Sequence, residues 1–127
     1  MFRFPKKQKL CSEKAIERLF IDGKSITEKP FRAIWNVEEN KNNVFVRSLI
    51  VVSKKRLKLA VERNLIKRRI KEIYRVQKKQ LELFLERKNQ QLNLAIIYQK
   101  DNILDHKLME KKINLLLIRL IEELCKE

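Results

Sequence analysis

The chain has 127 residues, 44% of them hydrophobic, and its 31 Lys and Arg against 16 Asp and Glu give a formal net charge of +15. That length and apolar content suit one domain with its own core, read as residues 1–127, and exclude wholesale disorder. Self-repulsion of this size opposes compaction, so an anionic partner is expected: DNA, RNA or an acidic membrane surface.

In chain order, "SEKAIERLFID" (12–22) opens with Ser12 as an N-cap and repeats Ala15, Ile16, Leu19 and Phe20 at helical spacing. Gly23, the only glycine, follows where helices often close in the left-handed conformation. The spacing therefore predicts a short amphipathic helix. Residues 24–27 are read as a short strand. "FRAIWNV" (31–37) and "VFVRSLIVVS" (44–53) are rich in β-branched and aromatic residues and flank the polar "EENKNN". That pattern predicts an antiparallel hairpin. A long helix is expected from about Ala60 to Arg87, then a buried strand, "LNLAIIY" (92–98), after "NQQ". Residues 105–125 return to helical period, with Asp105 as N-cap and Leu108, Ile113, Leu116, Leu117, Leu120, Ile121 and Leu124 on one face. The fold class is α+β, in the order αβββαβα.

The charge is concentrated. Residues 54–79 hold twelve Lys and Arg against Glu62 and Glu72, whereas residues 101–127 hold five against six acids. On a helical wheel of the long helix, Ile66, Ile70, Ile73, Gln77, Leu81 and Phe84 fall within about 120–200° of Val61, forming a buried stripe. Asn64, Lys67, Arg68, Lys71, Arg75 and Lys78 fall at about 240–340°. From Asn64 to Lys78 that flank contains no acid, since Glu62 and Glu72 fall outside it. Arg63 lies at the edge of the core stripe, where its guanidinium can reach along the sheet or pair with a backbone oxygen. A solvated helix normally interleaves Glu with Lys four residues apart. Stacked like charges point instead to a polyanion whose binding weakens with salt.

Membrane and DNA fit poorly. The run "INLLLIRLIEEL" is too short and charged to span a bilayer, and the apolar stripe of the basic helix is taken up by a core. No helix-turn-helix spacing, zinc ligands or heptad zipper argues for duplex DNA. RNA remains, with Phe20, Phe31 or Trp35 as candidate stacking surfaces against their commoner role in a core. Cys11 and Cys125 lack disulfide or metal spacing and read as reduced thiols of a soluble, cytoplasmic protein; "MFRFPKKQKL" is no signal peptide. No catalytic or metal-binding cluster is legible. His106 stands alone, Asp101 and Asp105 suit a helix start, and one glycine cannot build a phosphate loop.

"VSKKRLKLAVERNLIKRRIKE" (52–72) resembles the signature of the bacterial ribonuclease P protein subunit, through Val52, Ser53, Lys54, Lys55, Ala60, Val61, Arg63, Asn64, Ile66, Lys67, Arg68 and Glu72. "QKLCSEKAIERLFIDGKSI" is similar to that family's basic N-terminus and first helix, so the likeness runs along the whole chain. The resemblance implies a two-layer α/β sandwich with the basic helix in a left-handed crossover between parallel strands. It implies assembly with a catalytic RNA that removes the 5′ leader of precursor tRNA, the RNA holding Mg2+ and carrying the chemistry. By matching position, Arg63, Asn64, Lys67, Arg68, Lys71 and Arg75, with Lys54 and Lys55, form the RNA-binding set. Ile16, Arg18, Phe20 and Phe31 line a leader cleft. The chain departs from the family pattern in Ile16 for an aromatic, in Leu65 for a third basic residue, and in a longer, glycine-free loop at 56–59. The competing function is a ribosomal or assembly protein that binds structured RNA without processing it; a stand-alone nuclease is the remote third.

Overall fold

A computed structural model describes residues 13–39 and 44–126. The elements are α1 (Glu13–Asp22), β1 (Lys24–Glu28), β2 (Phe31–Glu39), β3 (Val46–Val52), α2 (Ala60–Gln77), α3 (Lys79–Lys88), β4 (Gln90–Tyr98) and α4 (His106–Cys125). The expected order holds except that the basic helix is divided in two. The N-cap expected at Ser12 and the thiol of Cys11 lie outside the described residues.

The four strands form one sheet in the order β1-β2-β4-β3. This corrects the expected hairpin: β2 and β3 are not partners. β2 pairs antiparallel with β4 from Phe31↔Tyr98 to Glu39↔Gln90, and β3 pairs parallel with β4 from Val46↔Leu92 to Val52↔Tyr98. The reason lies in β4, whose residues are apolar on both faces over most of its length. Leu92, Leu94, Ile96 and Tyr98 point to one side and Ala95 and Ile97 to the other. Such a strand belongs in the middle of a sheet. β2 and β3 carry Arg32, Asn36 and Arg47 at alternate positions and lie on either side of it. The link between them needs to cross only two strand spacings, roughly 10 Å, which six residues do easily. The antiparallel hairpin is β1–β2, closed through Lys29 and a cis Pro30.

Alternation then assigns the faces. Phe31, Ala33, Trp35, Ile50, Val52, Leu94, Ile96 and Tyr98 face α2, α3 and α4, and with Ile66, Ile70, Ile73, Tyr74, Leu81, Leu85, Met109, Ile113, Leu116 and Leu120 they make the main core. On the other face Leu19 of α1 packs on Ile34 and Ala95, with Ala15, Ile16, Leu49 and Ile97 around them. The structure is thus a sheet and a three-helix layer, with α1 laid across part of the opposite face.

Several local expectations are revised. The basic helix is interrupted at Lys78, yet that residue keeps a right-handed conformation and donates its N–H to Tyr74 O at 2.9 Å. α3 closes at Asn89 in the left-handed region, φ 52°, with its N–H on Glu86 O at 3.1 Å. Asparagine tolerates that conformation because its short side chain bonds locally. Gly23 has no positive φ; its place is steric. A Cβ there would collide with Leu19 O and stand 2.8 Å from Ile34 Cγ2. Leu108 is 40% exposed and Met109 takes its place in the core, since Leu108 sits about 140° around the helix from Ile113. Asp105 occupies the N-cap position of α4, but its side chain makes no capping bond. No helix among the described residues is long and apolar enough to cross a membrane.

Candidate nucleic-acid interface

The site begins with what holds α2. Ile66, Ile70 and Ile73 are buried against the sheet and α4, with Tyr74 beside them. Four anchors over two turns fix the rotation of the helix, and with it the direction of its other side chains. The rest of the predicted stripe also packs: Leu81 is buried, Phe84 is half-buried, and Gln77 donates from Nε2 to Glu110 O of α4 at 3.3 Å.

Around the flank, Asn64 and Arg68 are exposed and Lys67 is half-buried; none of the three has a hydrogen bond or ion pair among the described residues. Lys71 is half-buried on the same side. Further along, the flank meets acids. Arg75 forms a two-pronged contact with Glu72, Nη2 to Oε1 at 2.7 Å and Nε to Oε2 at 3.4 Å. That contact holds the Glu72 carboxyl below the usual carboxylate range and the Arg75 guanidinium above its own. Lys78 reaches Glu82 at 3.9 Å. The unneutralised part of the stripe is therefore its first half, centred on Lys67 and Arg68.

Arg63 lies apart from that surface. Its Nη1 donates to Leu57 O at 2.7 Å and to Lys58 O at 2.8 Å. The guanidinium ties the entry loop to the first turn of α2, as the backbone-oxygen reading allowed. This also explains how the loop manages without glycine. Arg56 N and Leu57 N both donate to Ser53 O, at 3.3 and 3.1 Å, and Lys55 N donates to Ser53 Oγ at 3.1 Å. Leu57 is buried as an anchor, and Leu59 enters the helix in an extended conformation (φ −82°, ψ 126°). Asn89 is the only described non-glycine residue with positive φ, so residues 56–59 require none. The turn leaves Lys54 and Lys55 exposed at the end of β3.

The face beneath α1 is ordered in rows by strand register. The middle row, Ser25–Ile34–Ala95–Leu49, lies under α1. On one side runs Asn36–Asn93–Arg47, where Asn93 Nδ2 donates to Asn36 Oδ1 at 2.8 Å and Gln91 Nε2 to Asn93 Oδ1 at 3.4 Å. On the other runs Thr27–Arg32–Ile97–Val51, toward the strand ends from which Lys54 and Lys55 follow. Of the residues assigned to a cleft here, Ile16 is half-buried against the sheet, Arg18 is exposed and Phe20 is 44% exposed. Phe31 is not there. It is fully buried on the opposite face, its ring centroid 5.5 Å from that of Tyr98, because strand parity sends it to the main core; Trp35 follows it. Sequence reasoning also missed Arg32 and Arg47, both half-buried on the α1 face. The signal was present: each is a cation set among apolar strand residues, Arg32 between Phe31 and Ala33 and Arg47 after Val46.

Residues 4–120 match the family model for ribonuclease P. The chain belongs to the ribonuclease P protein family. Over 119 residues it is 28% identical to the ribonuclease P protein component of Porphyromonas gingivalis, covering 94% of this chain and 87% of that one. Its fold matches the RNase P protein of Staphylococcus aureus with a TM-score of 0.68 at 22% identity, over 89% of this chain and 94% of that one. It also matches the RNase P protein of Thermotoga maritima, with a TM-score of 0.61 at 24% identity, over 85% and 94%. The α+β architecture expected from the sequence is the one these family members share.

Proposed function

We propose that this chain is the protein subunit of a ribonuclease P holoenzyme, binding the catalytic RNA through the first half of α2 and the 5′ leader of precursor tRNA beside α1, in the cytoplasm. The observation that carries the reading is the flank of Asn64, Lys67, Arg68 and Lys71 on a helix whose rotation is fixed by Ile66, Ile70 and Ile73. Lys67 and Arg68, without carboxylate partners among the described residues and on a helix of fixed rotation, give up no existing ion pair when phosphates replace water around them. Lys54 and Lys55 extend the positive surface to the strand ends. For the leader, a single strand needs phosphate neutralisation and apolar surface for its bases. Phe20, Ile16, Ile97 and Val51 supply the second, and Arg18, Arg32 and Lys54 the first.

Hydrolysis in this reading belongs to the RNA. Among the described residues no three His, Cys, Asp or Glu side chains converge on a metal-sized site. Asn64, the polar neutral group of the flank, stands among cations that repel a divalent ion. Mg2+ in this proposal belongs to the RNA partner. The protein's contribution is to screen crowded phosphates that Mg2+ would otherwise have to neutralise.

The test is cleavage of precursor tRNA by in vitro transcribed catalytic RNA at low magnesium. Added protein restores cleavage under this proposal. Binding without restored cleavage supports an RNA-assembly protein instead, and cleavage by the protein alone supports a stand-alone nuclease.

A further inference from the structure

A second cationic surface lies away from both α1 and the α2 flank. At the end of β4, Lys29, Arg56, Lys100 and Lys112 surround a pocket of about 490 Å3 that Leu104 and Leu108 help to line. Two of the cations are engaged at the margin. Arg56 Nη1 lies 3.4 Å from Asp101 Oδ1 and Lys112 Nζ 3.7 Å from Glu28 Oε1. Lys29 and Lys100 have no ion pair or hydrogen bond among the described residues, so the pocket carries an excess of positive charge. Its wall is preformed: Tyr98 Oη donates to Asn102 O at 2.7 Å and accepts from Leu104 N at 3.0 Å, which fixes the loop between β4 and α4.

Three features select the ligand class. The volume falls within the usual range of small-molecule sites, about 300–1,000 Å3. Leu108, turned away from the core and 40% exposed, offers an apolar surface that no described helix covers, and Gln99 adds a neutral amide. Cations beside an apolar floor match a nucleotide, which joins a flat base to a phosphate. Arg56 belongs to the same turn as Lys54 and Lys55, so a strand lying along that turn reaches the pocket without leaving positive surface.

We propose that this pocket between the β1–β2 turn and α4 binds one nucleotide of single-stranded RNA, with the phosphate at Lys29 and Lys100 and the base over Leu104 and Leu108. The assignment rests on the RNA-binding reading above and adds a separate binding point to it.

The experiment titrates a fluorescein-labelled eight-nucleotide oligoadenylate with the full chain at several salt concentrations, alongside catalytic RNA. Lys29→Glu with Lys100→Glu weakens oligoadenylate binding at least tenfold and lowers its salt slope by about 0.7, the share of the one phosphate that no longer meets its cations. Catalytic RNA binding stays within twofold. Leu108→Ser weakens the oligonucleotide about threefold with an unaltered salt slope, as removal of an uncharged surface requires. Unchanged oligoadenylate affinity in the charge-swapped variant overturns the pocket, and unchanged affinity in Leu108→Ser overturns the base-binding half. A wild-type chain that binds neither RNA overturns the RNA-binding reading itself.

Discussion

Arg63 donates to the carbonyl oxygen of Leu57 at 2.7 Å, closing the loop that carries Lys54 and Lys55 onto the helix that carries Lys67 and Arg68. That bond joins the Ser53 turn contacts and buried Leu57 in tying the two positive segments together. The same guanidinium also holds Lys58 O. Arg63→Met keeps the stem and removes both bonds, leaving two carbonyls to find water. At about 0.5–1 kcal/mol for each of the two bonds at a partly solvated site, the expected loss of stability is roughly 1–2 kcal/mol. A lowered midpoint in urea with an unchanged slope is the predicted result; an unchanged midpoint would place Arg63 among the RNA-contacting cations alone.

Phe31 and Phe20 separate structure from recognition. Phe31→Ala removes a fully buried ring from the main core and should cost about 3–5 kcal/mol, measured by thermal or urea unfolding. Phe20→Ala, at a 44% exposed position on α1, should change stability by less than about 1 kcal/mol. Its expected effect is on affinity for precursor tRNA, with mature tRNA little changed. Equal weakening for both substrates would remove Phe20 from the proposed leader surface.

Gly23→Ala should be destabilising although no positive φ is involved. The added methyl meets Leu19 O and Ile34 Cγ2, a backbone oxygen and a packed side chain, neither free to move. Overpacking of this kind costs about 1–3 kcal/mol. Because these are the atoms that seat α1 on β2, the amides of Ala15, Ile16 and Leu19 should lose hydrogen-exchange protection first. Protection equal to wild type would show that α1 can shift to accept the methyl.

Alkaline pH should weaken the fold through two tyrosines. Burial pushes the hydroxyl of Tyr74 well above its ordinary value of 10.0, and burial is also the main cause of the upward shift at Tyr98. A raised phenol keeps its proton in the folded state and loses it when unfolded, so the stabilising contribution is full below pH 10 and declines above it. For Tyr74 the slope approaches about 1.4 kcal/mol per pH unit in that window, and Tyr98 acts in the same direction. Tyr74→Phe should flatten the decline of unfolding free energy between pH 10 and 11.5, and an identical slope would show that Tyr74 ionises freely in the folded protein.

Element types were legible in the sequence, and strand partners were not. The 3.6-residue period of Ile66, Ile70 and Ile73 marked the buried side of α2 and so located Lys67 and Arg68 opposite open solvent. The nearness of β2 and β3 in the chain suggested a hairpin, but pairing is decided by which strand can be covered on both faces, a property of β4 about sixty residues after β2. The misplacement of Phe31 has the same root. An aromatic in a strand reports burial, while the face it is buried on depends on register and on which side the helices take. Arg63 was legible as a cation at the edge of the core stripe able to pair with a backbone oxygen, but which two carbonyls it meets depends on a loop conformation that no local pattern specifies.

The central claim is that an RNA docks on the first half of α2, and the salt dependence of catalytic RNA binding by Lys67→Glu with Arg68→Glu tests it most directly. Neither side chain contributes an ion pair to the fold among the described residues, so the double variant should unfold at the wild-type midpoint. Its affinity should fall steeply, and the slope of log K against log salt should become shallower by about one unit for each phosphate left without its cation, close to two in total. A folded double variant with wild-type affinity and slope would contradict the account.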